Sequence, residues 1–175
     1  MLNSKELKQY ITNIEPDNEQ QVGIDMNIVG VEFFEAQGFA GVKDKELPTT
    51  KKIEKAETFG GFEVYHLKQG AYIITLQQGC KLPDNVAFRL KERSTLMRCG
   101  ATIDSPWFDP GYYSAEEPIK TLMLVHNPYG IAIEHGARVC QAVGWECTPT
   151  KAYNGQYQNE KPTELDIKRF NKKDY

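Results

Sequence analysis

The chain has 175 residues, of which 40% are hydrophobic and 26% charged, and its formal net charge at neutral pH is −3. This length suits one domain with a substantial core, and the composition is that of a globular rather than a disordered protein. The slightly acidic balance argues against a dedicated nucleic-acid binder, because the surfaces of such proteins are usually basic.

The sequence also predicts the compartment. We expect no signal peptide, since no basic start is followed by an apolar run, and no apolar stretch approaches the roughly 20 residues that span a membrane. None of the four cysteines forms a CxxC pair or matches a zinc-binding spacing. Free thiols are typical of reducing compartments, so we predict a cytoplasmic protein that does not contact membranes.

The first predicted element is a short amphipathic helix. Asn3 is a suitable N-cap, and Glu6 follows at the capping-box spacing. The apolar residues that fall on one helical face are Leu7, Tyr10, Ile11 and Ile14. Pro16 is expected to end this helix.

The rest of the chain up to about residue 147 has the pattern of β-structure. Short runs rich in β-branched and aromatic residues are separated by Gly, Pro, Asn and Asp, which predicts an all-β sandwich or barrel. The charged segment 43–57 is predicted to be a solvated loop. The runs cover residues 23–34, 61–67, 71–76, 87–90, 121–125, 130–133 and 139–145.

The C-terminal segment differs in composition from the rest. We divide the chain into a β domain with the N-terminal helix (1–150) and a polar tail (151–175). The end of the tail has the character of a frayed terminus. The segment Tyr153-Asn-Gly-Gln-Tyr157-Gln158 instead offers polar and aromatic groups suited to covering a ligand.

Two segments combine residues that suit an anionic ligand or hydrolysis. Arg93-Ser94-Thr95 offers a forked cation and two hydroxyls for phosphate oxygens, although an ordinary turn or helix N-cap explains the same residues. Pro106-Trp107-Phe108-Asp109-Pro110-Gly111-Tyr112 predicts a tight hairpin tip. Its aromatic residues could face a base or a sugar while Asp109 presents a carboxylate to water.

Two further segments place charged residues in predicted strands. Asp25 lies among apolar neighbours, so it is either on the polar face or buried and paired. Arg138 and Gln141 open a late strand, where Arg138 could simply pair with a carboxylate. The three isolated histidines do not form the zinc-deaminase signature, and the sequence contains no Walker, Rossmann or Gly-x-Ser-x-Gly loop.

The order of five such segments resembles that of the trimeric dUTPase and dCTP-deaminase superfamily. Gly23-Ile-Asp25 resembles its Gly-x-Asp strand, and Arg93-Ser94-Thr95-Leu96 its Arg-Ser-Ser-Leu motif. The remaining matches are the Asp-Pro-Gly segment at 107–112, the Gly-x-Arg-x-x-Gln pattern at 136–141 and the Tyr-x-Gly-x-Tyr-Gln pattern at 153–158. The resemblance implies a distorted jelly-roll β-barrel, assembled as a homotrimer.

The resemblance also distinguishes two branches. Deaminases of this superfamily carry a catalytic Glu on the strand after the Asp-Pro-Gly segment, and Met123 occupies that approximate position here. Since methionine cannot relay protons, the resemblance favours hydrolysis of dUTP to dUMP and pyrophosphate. The alternatives are a dCTP deaminase or bifunctional deaminase-dUTPase, and a non-catalytic regulatory nucleotide-binding protein.

The resemblance implies a role for each site residue. Asp109 would activate the water that attacks the α-phosphate of a Mg²⁺-chelated dUTP, and Asp25 would contact the metal through water at most. Tyr112 would pack on the deoxyribose, backbone groups near Trp107 and Phe108 would bind uracil, and Arg98 would support either the base or the water. The phosphates would be held by Arg93, Ser94, Thr95 and Gln141, and the tail residues would be Tyr153, Tyr157 and Gln158.

Overall fold

The computed structural model describes residues 1–42, 44–58, 60–114 and 117–148. Two short helices are present within these ranges, α1 (Ser4–Lys8) and α2 (Ser94–Arg98), together with a 3₁₀ turn at Pro16–Asn18. The strands are β1 (Ile24–Phe34), β2 (Phe39–Ala40), β3 (Lys45–Glu46), β4 (Thr50–Lys52), β5 (Ala56–Glu57), β6 (Glu63–Leu67), β7 (Gly70–Leu76), β8 (Val86–Glu92), β9 (Ala101–Asp104), β10 (Lys120–Val125), β11 (Ile131–Glu134) and β12 (Arg138–Glu146).

The main sheet is antiparallel and has the order β8-β12-β1-β7-β10-β9, with β4 paired to the second half of β1. The chain after β9 returns to β8: Phe108 pairs with Phe88, and the Ser105 hydroxyl accepts a hydrogen bond from the Leu90 N–H at 3.2 Å. These contacts bring the two ends of the sheet together, so the fold is an all-β, nearly closed barrel, as predicted.

The barrel is filled by alternate residues of its strands, as the period of two requires. The buried residues are Tyr72, Ile74 and Leu76 on β7 and Thr121, Met123 and Val125 on β10. Leu7 of α1 covers one end of this core and is fully buried. A Cβ on Gly144 would lie 2.7 Å from Leu7 Cδ1, so the glycine lets α1 pack directly on β12.

The N-terminal helix is capped as predicted but is shorter than expected. Asn3 and Glu6 form both hydrogen bonds of the capping box. The helix ends at Lys8, and Ile11 instead forms a β-bridge with Cys80 in the core. Tertiary pairing therefore competes with the helical periodicity, and Pro16 begins a 3₁₀ turn rather than ending α1.

The prediction that residues 43–57 form a loop was wrong in part. Strands β3, β4 and β5 lie within this segment, and β4 extends the main sheet by pairing Lys52 with Glu32 and Thr50 with Phe34. A second difference is β9, a four-residue strand that pairs with β10 and was not predicted. Short strands of this kind depend on a neighbouring strand that supplies their hydrogen bonds. No helix among the described residues has the length and apolar character to cross a membrane.

Candidate functional site

Three of the predicted segments meet at the carboxylate of Asp25. Asp25 lies on β1 directly opposite Gln141 on β12, and the Gln141 amide donates to Asp25 Oδ1 at 3.2 Å. Arg93 Nε lies 3.2 Å from Asp25 Oδ2, and Arg138 Nη1 lies 3.6 Å from the same oxygen. The side chains of Asp25, Arg93, Arg138 and Gln141 are here called the Asp25 cluster.

The glycine two residues before Asp25 has a steric role. A Cβ on Gly23 would lie only 2.1 Å from the carbonyl oxygen of Ala142, well inside any permitted contact. Glycine therefore lets the chain approach β12 closely just before β1 begins. This approach brings Asp25 into register with Gln141, which accounts for the Gly-x-Asp pattern in physical terms.

Burial and charge together define the Asp25 cluster. Asp25 is completely buried, and this burial raises the pKa of its carboxyl group, while Arg93, the hydrogen bond from Gln141 and Arg138 act in the opposite direction. Oδ2 has no well-aligned hydrogen bond among the described residues, so its compensation is mainly the charge of the two guanidinium groups. With Asp25 ionised, the two arginines leave one net positive charge.

The two arginines are accessible from outside the barrel. Their side chains are 32% (Arg93) and 36% (Arg138) exposed, although the carboxylate between them is not exposed at all. A guanidinium group fixed by a buried carboxylate loses less conformational freedom when it binds a second anion. The Asp25 cluster is therefore suited to binding an anionic group such as phosphate.

The second segment forms the beginning of α2. Arg93 occupies the N-cap position, and its backbone N–H donates to the Val139 carbonyl at 3.0 Å, which attaches α2 to β12. Ser94 and Thr95 are the first two helical residues and are exposed, while Leu96 is buried and anchors the helix. Two exposed hydroxyl-bearing residues therefore directly follow Arg93 of the Asp25 cluster in the chain.

Asp109 lies in a tight turn. The Tyr112 N–H donates to the Asp109 carbonyl at 3.0 Å, and Gly111 has a φ of +81° at the third position of the turn. A type II turn requires a positive φ at its third position, which glycine permits, and favours proline at its second. The Asp109 side chain is exposed to solvent.

The two arms of this turn pair with other parts of the barrel, which corrects the predicted hairpin. Phe108 exchanges both backbone hydrogen bonds with Phe88 of β8, at 2.9 and 3.2 Å. The carbonyl of Tyr112 accepts from the Leu82 N–H at 2.9 Å. The turn is therefore held at one end by β8 and at the other by the segment between β7 and β8.

The aromatic residues of this segment differ in their surroundings. Phe108 is buried and stacks on Phe88 with 4.4 Å between ring centroids. Because its N–H already donates to Phe88, that group can reach a base only by breaking an existing hydrogen bond. Tyr112 is half-buried, with its ring at 65° to that of Phe108 and 5.4 Å between centroids, and Trp107 is half exposed.

The structure adds two residues to this part of the site. Trp145 of β12 contacts Trp107 edge-on with 5.1 Å between ring centroids, and the Arg89 guanidinium lies 5.5 Å from the Trp107 centroid. Strand alternation offered a signal for Trp145, because it shares a face of β12 with Gln141. Nothing in the local sequence indicated that Arg89 would lie over Trp107.

The Asp109 turn and the Asp25 cluster lie at opposite ends of β8. Phe108 pairs with Phe88 near one end of this strand, and Arg93 directly follows its other end. The antiparallel pairing puts Asp109 opposite Ala87, six residues from Arg93, or about 20 Å along an extended strand. Asp109 and Arg93 of one chain therefore cannot contact the same phosphate group.

The family of the chain follows from comparison with known proteins. A family model described as dCTP deaminase-like matches residues 1–147. The chain belongs to the dCTP deaminase-like family. A solved structure, that of 2'-deoxycytidine 5'-triphosphate deaminase from Agrobacterium tumefaciens, is similar in fold, with a TM-score of 0.56 and 14% identity. The similarity covers 78% of this chain and 43% of that one.

Curated relatives of this dCTP deaminase-like chain are found in archaea. A probable deoxyuridine 5'-triphosphate nucleotidohydrolase of Methanosarcina mazei is 30% identical over 91% of this chain and 97% of its own length. A deoxyuridine 5'-triphosphate nucleotidohydrolase of Methanocaldococcus jannaschii is 36% identical over 86% of this chain and 94% of its own length. The similarity thus extends over nearly the whole of both relatives.

Met123, which the resemblance places at the approximate position of a deaminase's catalytic Glu, belongs to the core. Its side chain is fully buried, and its neighbours across the sheet are Tyr72 and Ile103. Methionine at this place packs against the barrel interior and supplies no group for proton transfer.

The described residues do not form a metal site of their own. No group of three or more His, Cys, Asp or Glu side chains comes together within these ranges. Asp25 is buried against two guanidinium groups, which repel a cation, so direct coordination of Mg²⁺ by Asp25 does not fit the site. A contact through water stays a prediction.

Several predicted residues remain to be placed in the site. Arg98 is the last residue of α2 and is exposed, and its predicted role stays a prediction. Tyr153, Tyr157 and Gln158 lie outside the described residues, as does the whole predicted tail.

Proposed function

We propose that the protein hydrolyses dUTP to dUMP and pyrophosphate. The observation that carries this proposal is the Asp25 cluster, in which Arg93 and Arg138 from separate segments share one buried carboxylate and remain partly exposed. The archaeal relatives at 30% and 36% identity, both named as deoxyuridine 5'-triphosphate nucleotidohydrolases, support the same substrate.

The triphosphate is bound by the Asp25 cluster and the start of α2. Arg93 and Arg138 neutralise phosphate charge, and the exposed hydroxyls of Ser94 and Thr95 donate to phosphate oxygens. Gln141 holds Asp25 with one amide hydrogen and offers the other to the ligand. The triphosphate would carry Mg²⁺ as part of the substrate, where the ion would neutralise phosphate charge, since Mg²⁺ is usually bound through substrate phosphates rather than by an all-protein cage.

Asp109 is the general base of the reaction. Its exposed carboxylate takes a proton from a water molecule, and the water oxygen forms a bond to the α-phosphorus. The bond from this phosphorus to the oxygen that bridges to the β-phosphorus breaks, and the electron pair leaves with pyrophosphate. General-base catalysis of this kind contributes about 10²–10⁴-fold to the rate. Alignment of the water and neutralisation of charge supply the remainder.

The nucleoside is bound near the Asp109 turn. Tyr112 packs on the deoxyribose and leaves no room for a 2′-hydroxyl, and Arg98 supports either the base or the attacking water. Backbone groups around Trp107 read the edge of uracil. Cytosine presents the reverse donor and acceptor pattern, so buried polar groups would stay unpaired, and mismatches of this kind give large selectivity.

The active site lies between subunits of a homotrimer. The separation of about 20 Å along β8 supports this arrangement, since one chain cannot bring Asp109 and Arg93 to the same phosphate. A neighbouring copy brings its own Asp109 turn to the Asp25 cluster of the first. The tail residues Tyr153, Tyr157 and Gln158 complete the site in this proposal.

The enzyme acts in the cytoplasm. Cys80 is buried and unpaired, and burial raises the pKa of its thiol to about 12. Burial also raises the pKa of Cys140. Unpaired cysteines of this kind are typical of a reducing compartment.

One assay tests the function directly. The protein is incubated with dUTP, dCTP or dTTP in the presence of Mg²⁺, and pyrophosphate and ammonia are both measured. We expect pyrophosphate from dUTP and no ammonia from dCTP. Ammonia release would indicate a deaminase or a bifunctional enzyme, the second candidate, which the match to a family model described as dCTP deaminase-like supports. Tight binding of dUTP without turnover would indicate a regulatory protein.

A further inference from the structure

A buried network of side-chain amides lies directly behind the Asp25 cluster. It consists of Asn18 in the 3₁₀ turn, Asn27 on β1 and Gln78 after β7, which are 0%, 8% and 0% exposed. These three residues are here called the amide triad. Burying an amide costs free energy unless it is hydrogen-bonded, and a fully hydrogen-bonded network makes the surrounding core more rigid. We therefore ask which part of the site the amide triad holds in place.

The hydrogen bonds of the triad converge on Asn27. Its side-chain oxygen accepts from Asn18 Nδ2 at 2.6 Å and from Gln78 Nε2 at 3.0 Å. Its backbone N–H donates to Gln78 Oε1 at 2.9 Å, and its Nδ2 donates to the Gly136 carbonyl at 2.8 Å. Asn27 thus joins the 3₁₀ turn, the end of β7 and the turn before β12.

One member of the triad, Asn27, lies at a register shift in the sheet, two residues after Asp25. The pairing of β1 with β12 shifts register between Met26 and Asn27, so that Asp25 lies on one side of the shift and Asn27 pairs with Arg138 on the other. A bulge of this kind redirects nearby side chains and is often found next to functional sites. The bonds from Asn27 to Gly136 and Gln78 stabilise the strand where its regular pairing is interrupted.

Besides the pairing of Asn27 with Arg138, the triad is linked to Arg138 through the hydrogen bonds of the 3₁₀ turn. Asn18 Oδ1 accepts from the Glu15 N–H at 2.7 Å, so the Asn18 side chain holds the 3₁₀ turn closed while its amide attaches the turn to Asn27. The adjacent residue, Asp17, presents its backbone carbonyl to Arg138 Nη1 at 2.6 Å. The same Nη1 is 3.6 Å from Asp25 Oδ2, so the guanidinium lies between a carbonyl and a carboxylate.

We propose that Asn18 and Asn27 are positioning residues that hold the Arg138 guanidinium in place for a phosphate group of the substrate. Asn18 acts through the Asp17 carbonyl, and Asn27 acts through the strand opposite Arg138. The segment before β1 thereby becomes part of the substrate site, although none of its side chains touches the Asp25 cluster among the described contacts. This inference rests on the proposed function, because it assigns Arg138 to the phosphates of dUTP.

The central variant is Asn18→Ala, and Asn18→Ser is the milder replacement if the alanine variant fails to fold. Tyr72→Phe is the matched control, because it also removes a hydrogen bond, the partly buried one from the Tyr72 hydroxyl to the Lys68 carbonyl at 2.8 Å, but does so away from Arg138. For each full-length variant, the thermal midpoint, the kcat and KM for dUTP, and the Kd for inorganic tripolyphosphate are measured.

We expect Asn18→Ala to raise KM and the tripolyphosphate Kd by about tenfold, as the loss of one well-placed hydrogen bond predicts, with kcat within about twofold of wild type. Tyr72→Phe should lower the thermal midpoint but leave KM and Kd unchanged. In an Arg138→Ala background, Asn18→Ala should raise KM no further, because both changes remove the same positioned cation.

Two results would overturn the inference. One is an Asn18 variant whose KM and Kd match those of Tyr72→Phe. The other is a double variant in which the separate effects of Asn18→Ala and Arg138→Ala multiply, since independent sites behave in that way. Failure of the proposed function is distinguishable: wild type would release no pyrophosphate from dUTP, while the tripolyphosphate comparison would still test the link between Asn18 and Arg138.

Discussion

Asp109 and Arg93 lie at opposite ends of β8, about 20 Å apart along the strand. Each is held firmly in its own place, Asp109 by the pairing of Phe108 with Phe88 and Arg93 by Asp25. The barrel therefore presents a candidate general base and a candidate phosphate site on separate parts of its surface. With this separation, Asp109 and Arg93 of one chain cannot contact the same phosphate group, which is why we propose that a second copy supplies one of them.

Subunit complementation tests this requirement. Asp109→Asn and Arg93→Ala should each be nearly inactive alone. When equal amounts of the two chains are refolded together, about a quarter of the sites of a mixed oligomer should receive both intact residues, and activity should recover to about that fraction. Sedimentation should show a trimer for wild type and for the mixture. If mixing restores nothing, both residues act within one chain and the proposed assembly is wrong.

Asp109→Asn alone should affect the chemical step. We expect kcat to fall by about 10²–10⁴-fold, while the affinity for a non-hydrolysable dUTP analogue, measured by calorimetry, stays close to that of wild type. Because the Asp109 side chain is exposed, the thermal midpoint should not change appreciably. Asp104→Asn, at an exposed carboxylate on β9, is the control. Near wild-type turnover in Asp109→Asn would remove Asp109 from the mechanism.

The ion pair of Glu32 and Lys120 should make stability depend on pH. Lys120 Nζ lies 2.8 Å from Glu32 Oε1. Burial acts to raise the pKa of Glu32, but hydrogen bonds from Lys120 and Thr50 outweigh it and leave the pKa below its usual value. A carboxyl whose folded pKa is lowered stabilises the protein above its unfolded pKa, and this stabilisation is lost as the pH falls through the folded pKa.

Glu32→Gln should therefore lower the thermal midpoint at neutral pH by about 2–4 °C, the shift expected for about 1 kcal/mol in a domain of this size. The difference from wild type should shrink as the pH is lowered into the acidic range, when Glu32 becomes protonated. Glu63→Gln is the matched control, since its pair with Lys55 is largely solvent-exposed and screened. If the thermal midpoints of wild type and Glu32→Gln differ by the same amount at acid pH, the ionised Glu32 carboxylate is not the source of the stabilisation.

Removal of residues 151–175 should abolish hydrolysis and leave the barrel folded. The buried hydrophobic residues of the described chain all precede residue 143, so the thermal midpoint should change by no more than a few degrees and the trimer should persist. A shorter truncation that removes only 160–175 keeps Tyr153, Tyr157 and Gln158 and should retain turnover. Full activity after the longer truncation would show that these three residues are not part of the site.

The features that the sequence determined by itself are those that depend on neighbouring residues. The capping box of Asn3 and Glu6 formed as predicted, because its two hydrogen bonds span only three residues. The Asp109 turn formed because proline fixes one backbone angle and glycine permits a positive φ at the next residue. Runs of β-branched and aromatic residues between turn-forming residues likewise predicted most strands of the main sheet, since this preference is also local.

The tertiary structure decided everything that joins distant parts of the chain. Helix α1 ends at Lys8 because Ile11 forms a β-bridge with Cys80. The residues around Ile11 do not indicate this pairing with a distant part of the chain. The Asp25 carboxylate and the Gln141 amide are 116 residues apart in sequence and meet only because β1 pairs with β12 in one register. The separation of Asp109 from Arg93 and the link from Asn18 to Arg138 arise in the same way. Contacts of this kind follow from strand order and register, which the whole chain sets together through burial of its core.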